Sequence, residues 1–502
     1  MESYPNDNFK RSRECLEGVI AKLCGPRTVA LDQESVGDLI EVEGREILRL
    51  LLQDHLDLRT ALEHVKPMVG ADEERRTEFR TSHRALDSRF GPVTVTRLAI
   101  SRHGVPGALR PLDARLNLPP RKHSRGVIRQ IAWGVAQSSY DITVADVRRT
   151  TGLKIGKKQA EDLAIHASVD FESFYLDRAV QPVGSGELVV LTFDGKGVVM
   201  LPSGLREGTR KRAEAAAPPK PSSPLAKKKG KNRKRMAEVA SVYSLKVVPR
   251  SPDDVMRELR KDGPYVPRPK ATSKRVWATL KHPIPTAVDL AFYEALGRDE
   301  EQEAPWVVLV DGNQQQLDAI ESSAVNYGVT VTVVIDFIHV LEYLWRAGRA
   351  LLGKADKEAL QEWVSTRARR LLEGKVSNVA AGIRRSATLR KIPKKRREKL
   401  DRAVDYLLSH KQYLRYDEYL AAGFPIASGV IEGACRSLVR DRMDITGARW
   451  GLSGAEAVLK LRALRQSGDF DEYWSYHGRQ ELERNHLIRY AEPELSDIRY
   501  AS

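Results

Sequence analysis

Apolar positions follow two different rhythms along this chain. Between Val36 and Leu62, Leu39, Ile40, Ile47, Leu48, Leu51, Leu52, Leu56 and Leu58 recur at close to 3.6 residues, which predicts a helical region over 1–65 that packs or self-associates. Three more helices are predicted over 124–178. Ser124 caps the first, with Val127, Ile128, Ile131 and Val135 inward; Thr143 caps a second, 144–149. After a turn at Thr151-Gly152, Lys157, Lys158 and Gln159 open the third, with Ala160, Leu163, Ala164 and Ala167 on its inner face. Between these regions, 93–96 reads as a short strand and the Pro- and Leu-rich 106–120 as an extended arm or loop. Residues 345–422 and 453–490 read as helical.

The other rhythm is continuous rather than periodic. Residues 187–193, 306–310 and 328–336 are unbroken, β-branched-rich runs, and 239–248 is a further strand. Such runs suit strands buried on both faces. Two of them lead into Asp-Gly pairs, Asp194-Gly195 and Asp311-Gly312, where glycine lets the backbone turn and a ligand approach. One such pair is most often an ordinary turn. Two of them, followed by Glu432 at the start of a helix, point to a site for Mg²⁺, which prefers carboxylate oxygens and keeps places for water and phosphate.

Charge strengthens that picture. The 502 residues carry a formal net charge of +16, which suits a polyanionic partner and disfavours a glycosidase acting on a neutral sugar. Residues 206–235 are low in complexity and rich in Lys and Arg, including Lys227, Lys228, Lys229 and Arg233. This segment is either a solvated linker or a mobile phosphate-binding arm. The three cysteines, Cys15, Cys24 and Cys435, have no Cys-x-x-Cys spacing, which supports neither a disulfide framework nor a zinc ribbon. No signal-peptide pattern or membrane-length apolar run is present, so a cytoplasmic setting without a membrane partner is expected.

Several motifs keep two readings. The 124–178 unit resembles a helix-turn-helix, with Lys157, Lys158 and Gln159 placed to meet DNA, but plain three-helix cores share the pattern. Glu432, Arg436 and Arg440 at i, i+4 and i+8 share a helical face, as a salt-bridge stripe or as phosphate contacts. His339 either caps or packs, or positions the site. Trp450 either stacks on an unpaired base or fills a core.

The order of these motifs is similar to that of a bacterial insertion-sequence transposase of the DDE superfamily, of the Kra type. The residues that carry the likeness are 193–197, 311–313, 336–345, 428–436 and 441–451, with Pro111-Leu112-Asp113 and the residues up to Pro119 upstream. The resemblance implies a mixed α/β, ribonuclease-H-like core with an all-helical insertion. The implied layout is 1–65 helical; 66–123 strand and arm; 124–180 DNA-binding; 181–344 first core part; 345–422 insertion; 423–502 second core part with the Glu helix and tail. It implies Asp194, Asp311 and Glu432 as a catalytic triad binding two Mg²⁺ or Mn²⁺ ions, with Asp336-x-x-His339 matching a family signature. Double-stranded DNA, as inverted-repeat ends and as target, is the implied partner. A homo-oligomer on DNA and a nucleoid-associated bacterial setting follow. Some relatives carry a Cys-rich zinc hairpin where this chain has 102–106, Arg-His-Gly-Val-Pro, so no zinc is expected. The alternatives are a nuclease or junction resolvase without strand transfer, and a domesticated DNA-binding protein.

Overall fold

The computed structural model describes residues 6–215, 233–353, 356–427, 429–445 and 447–492. The chain divides into two units. One is Arg178–Ser467; the other holds the described residues through Asp177 and those from Gly468 onward. The tail helix Phe470–Asn485 therefore belongs with the N-terminal unit and not with the Glu432 segment. Among the described residues no helix is long and apolar enough to cross a membrane.

The Arg178–Ser467 unit is mixed α/β around a mixed five-stranded sheet. Its strands are β1 (Glu187–Val199), β2 (Lys234–Lys246), β3 (Thr272–Thr279), β4 (Trp306–Val310) and β5 (Val331–Ile335), in the order β5-β4-β1-β2-β3. β1 pairs antiparallel with β2 and β2 with β3, while β4 runs parallel to both β1 and β5. Leu188 to Leu191 and Trp306 to Val310 are buried throughout, as the unbroken apolar runs require of central strands. Helices α1 (Ile284–Arg298) and α2 (Leu452–Ser467) pack on the sheet. Glu456 of α2 accepts hydrogen bonds from the Thr279 hydroxyl at 2.8 Å and from the Leu280 N–H at 2.7 Å, closing the end of edge strand β3.

The first run reads on through Asp194 into 197–201, and β1 does continue to Val199, paired with β2 along its whole length; what is corrected is the turn expected at Asp194-Gly195. Gly195 is therefore a strand residue, where an added Cβ would meet the Met236 side chain at 3.1 Å, whereas Gly312 does turn, at φ +88°. β2 begins at Lys234, not 239, so the last residues of the basic segment are in the sheet. Arg235 donates to the carbonyls of Leu280 and Gly204, and Glu207–Ala215 is helical, so neither end of 206–235 is a mobile arm. Lys227, Lys228 and Lys229 lie outside the described residues.

Residues 337–421 form consecutive helices, as expected: Phe337–Leu352, Lys357–Leu372, Val376–Leu389, Lys394–Ser409 and Tyr416–Ala421, with Lys354 and Ala355 outside the described set.

In the other unit the long helix Gln33–Ala61 matches the N-terminal periodicity. The expected strand 93–96 lies inside the longer strand Gly91–Arg102, the middle of a three-stranded antiparallel sheet with Glu78–Ser88 and Val105–Leu109, and the expected arm is instead that last strand followed by the helix Pro111–Arg115. Pro111-Leu112-Asp113 is buried, and Asp113 pairs with Arg97 at 2.6 Å, so it is part of the core rather than an arm. Three helices follow: Arg125–Gln137, capped by Ser124 as expected; Tyr140–Thr151; and Lys157–His166. The second is capped by Ser139 instead of Thr143. Thr143 is buried one turn in, and its hydroxyl donates back to the Ser139 carbonyl at 2.9 Å.

A candidate active-site cleft at the sheet's carboxyl edge

The site is built where β1 and β4 part. Their pairing ends at Thr192 opposite Leu309, two residues short of both aspartates. Asp194 and Asp311 thus emerge at the same level on neighbouring strands, which lie about 4.8 Å apart in a sheet. To one side of β1 the chain continues to β2 and β3, to the other lie β4 and β5. In open α/β sheets such a switch point, at the carboxyl ends of parallel strands, is where ligands bind. Both aspartates are half-buried and line one cleft of about 1010 Å³. Arg206, Lys234 and Arg235 bring positive charge to its wall; Glu238 and Asp289 bring more carboxylate.

Each aspartate is oriented by local bonds. Asp311 accepts from the Asn313 N–H at 2.9 Å. Asp194 accepts from the Gly195 N–H at 2.7 Å through one oxygen and from the Cys435 thiol at 3.1 Å through the other. Burial first, then the charge of Asp194, pushes the Cys435 thiol well above its usual range; Glu432 adds in the same direction. The cleft wall around the two aspartates offers carboxylate and amide oxygens, from Glu238, Asp289, Asn313 and Asp318, a donor set that fits Mg²⁺ or Mn²⁺. Burial likewise raises Glu238, opposed by Arg206 and helped by Asp194. Glu238 sits directly across from Gly195 in the β1–β2 register.

Glu432 is exposed, on the short helix Gly429–Ala434, which packs against β1 and β2. It is not part of the cleft wall that holds the two aspartates. Cys435, three residues on, is the link: it touches Asp194 and feels the charge of both Asp194 and Glu432. Beyond Ala434 the helix changes to a π-helix, Cys435–Arg440. A π turn closes at i+5, so the expected single face for Glu432, Arg436 and Arg440 is broken. Arg436 accordingly pairs with Asp441, five residues on, at 3.8 Å.

The helical stretch after β5 reaches back to the Asp311 turn. Tyr406 donates its hydroxyl to the Asp311 carbonyl at 2.7 Å, and its ring stacks on Tyr343 at 3.9 Å. His410 Nε2 lies 3.1 Å from the Gly312 carbonyl. An added Cβ at Gly312 would come within 2.9 Å of that imidazole nitrogen, so glycine there serves close approach as well as the turn. Burial, then Tyr343, Asp311 and Asp336, hold the Tyr406 hydroxyl well above its usual range, as a donor. Asp336 caps the helix after β5 by accepting from the Ile338 N–H at 2.7 Å. His339 is half-buried one turn before Tyr343.

The remaining sites are placed as follows. Trp450 is buried: its indole N–H donates to the Met443 carbonyl at 3.1 Å, its backbone bridges to Met200, and Arg442 covers its ring. It is a core residue, and the base-stacking expectation fails because no face is open. Arg233 and Arg440 are exposed. In the other unit, Lys157 pairs with Asp141, Lys158 with Glu161 and Asp162, and Gln159 accepts from the Gly156 N–H at 3.0 Å as a helix cap. Both lysines are exposed and their ion pairs are screened by water, so a phosphate can displace them. Gln159 has a structural task that its sequence position did not reveal.

Sequence reading missed Cys435, Tyr406, His410 and Glu238. A charged residue inside the apolar run 236–245 was the one available signal, for Glu238; the other contacts join segments 95 or more residues apart. No protein-family model and no curated protein matches this chain.

Proposed function

We propose that this chain is a DNA transposase of the DDE type, with a ribonuclease-H-like core, that cuts and joins strands at the ends of an insertion sequence. The observation that carries the reading is the pair Asp194 and Asp311 at one level on adjacent parallel strands, in one cleft with basic residues on its wall. The order of acidic elements, central strand, parallel neighbour, then late helix, supports it as well.

Asp194, Asp311 and Glu432 would hold two Mg²⁺ or Mn²⁺ ions, which when bound supply charge for activating the attacking oxygen and stabilising the leaving one. The chain's own residues do the positioning. Cys435 fixes one oxygen of Asp194 and joins its strand to the Glu432 helix. Tyr406 and His410 hold the Asp311–Gly312 turn from the helical segment. Arg206 and Lys234 draw the phosphate backbone into the cleft. In balance, water cleaves one phosphodiester to leave a 3′-OH and a 5′-phosphate, and that hydroxyl attacks the phosphorus of a phosphodiester in target DNA, forming a new P–O bond as the target strand's own 3′-oxygen leaves.

The test incubates the protein and Mg²⁺ with duplexes carrying the inverted repeats that flank its gene, plus a supercoiled plasmid. Donor 3′ ends should become joined to the plasmid. Cutting without joining would favour the nuclease or resolvase reading; no cutting of any DNA would remove the catalytic proposal.

Residues 216–232 contain five lysines and no acidic residue. Deleting them should flatten the dependence of log K on log salt by about 0.9 for each phosphate that is no longer neutralised, while preference between end and scrambled duplexes stays the same. Binding isotherms at several salt concentrations measure this. An unchanged slope would return the segment to the role of linker.

A further inference from the structure

Away from the cleft, the N-terminal unit brings together two histidines and a glutamate from distant segments. His166 ends the helix Lys157–His166, while His477 and Glu481 are one turn apart on Phe470–Asn485. One ligating atom from each lies within 4.8 Å of the others. His477 is 2% exposed and Glu481 1%. Burying imidazole and carboxylate together in this way is costly unless each polar atom has a use.

We propose that His166, His477 and Glu481 bind one zinc ion. Two imidazoles and a carboxylate are a donor set that suits Zn²⁺ and not Mg²⁺. The surrounding bonds leave the right atoms for it. His477 Nδ1 is 2.6 Å from Asp170 Oδ2, so that carboxylate accepts a hydrogen bond from Nδ1–H, the tautomer that leaves the Nε2 lone pair for metal. Carboxylate behind histidine is how metal-binding imidazoles are oriented. Glu481 divides its oxygens: Oε1 accepts from Arg484 at 3.0 Å, and Oε2 faces His166 Nε2 at 3.2 Å. Arg484 also grips Asp170 at 2.7 and 2.8 Å, which fixes the outer carboxylate. Metal–ligand bonds of about 2.0–2.2 Å place tetrahedral donors roughly 3.4 Å apart, so the three atoms need only close inward. His166 keeps 22% of its side chain exposed, which gives water a route to a fourth position.

This proposal runs against the expectation that the chain binds no zinc: that expectation was drawn from the missing cysteine hairpin at 102–106, whereas this site uses other segments. Zinc here would clip the end of the Lys157–His166 helix to the tail helix.

The experiment uses the full chain, stripped with chelator, in a background of Asp194→Asn with Asp311→Asn so that the cleft cannot supply the signal. Calorimetric titration with ZnCl₂ alone should show one equivalent bound per chain. Cobalt substitution should give the visible bands of a tetrahedral N/O site. His166→Gln should weaken binding at least about 100-fold and abolish the bands, and Asp170→Asn should weaken it by about 10- to 100-fold. Circular dichroism checks that each variant is folded. His166, the most exposed of the three, decides the question if His477→Gln or Glu481→Gln does not fold. No zinc uptake in the background protein, or uptake unaltered by His166→Gln, would overturn the proposal and leave a hydrogen-bonded network.

Discussion

Alanine at Asp194, Asp311 or Glu432 should each lower strand cleavage by several orders of magnitude while DNA affinity at fixed salt changes by less than about threefold. The argument rests on how the three are held. Asp194 and Asp311 stand level on strands that share four register pairs up to Thr192 and Leu309, and neither is buried in the core, so truncating them removes ligands without emptying packed space. Groups that act as one metal-binding unit are strongly non-additive, so the double variant should be little worse than either single one. Glu432 makes the sharper test. It is exposed and outside the wall that holds the aspartates, and its tie to them runs through Cys435. If Glu432 completes the site, Glu432→Ala is as inactive as Asp194→Ala and Glu432→Asp recovers part of the activity. Single-turnover cleavage of labelled duplex, with binding measured in Ca²⁺, separates the two readouts. Near-normal cleavage in Glu432→Ala would reduce the site to the aspartate pair with Glu238 as the next carboxylate to change.

What the sequence could disclose depended on whether a residue's task was local. β4 was legible because a strand covered on both faces must be apolar along its length, whatever its neighbours; β5, at the sheet edge with 331–333 half-buried, was legible from its β-branched run alone. The Asp311–Gly312 turn was legible for the same reason, since the positive φ is a property of Gly312 itself. Asp194–Gly195 has the same two letters and does not turn, because β2 supplies pairing partners on past it to Val199. That is tertiary information. The strand Glu78–Ser88 escaped because its partly polar alternation carries little apolar signal; its place comes from the hairpin with Gly91–Arg102. Ser139 and Thr143 are both good helix caps, and the burial of Thr143 decided between them. The π turn at Cys435 was invisible, since a 3.6-residue count assumes the helix type it is meant to detect. Tyr406 and His410 sit within a helical run whose pattern says only which face is inward, not that its end reaches the Asp311 turn.

Glu294→Ala should be the most destabilising single change outside the cleft, at about 3–5 kcal/mol. Glu294 lies on α1, 5% exposed, and accepts from Arg275 on β3 and from Arg298, whose Nε and Nη2 approach at 3.1 and 2.7 Å. Burial alone would raise the carboxyl, but Arg275 and Arg298 outweigh it and hold it ionised. Removing it takes the shared carboxylate away from two buried guanidinium groups, which cannot shed their protons. Arg298 also bonds the Ser273 carbonyl, so the loss loosens β3 at the sheet edge as well as α1. The contrast that tests the mechanism is replacement of all three, Arg275→Met with Glu294→Leu and Arg298→Met. Exchanging a whole buried ion triad for apolar side chains of similar volume is often neutral or stabilising, so the triple variant should regain most of what Glu294→Ala loses. Urea unfolding gives the size of each effect, and hydrogen exchange in peptides covering 272–310 shows that the loss is in this unit. A Glu294→Ala cost under about 1 kcal/mol would mean that water reaches the arginines and that the edge strand β3 is held by Glu456 instead, through the Thr279 hydroxyl and the Leu280 N–H.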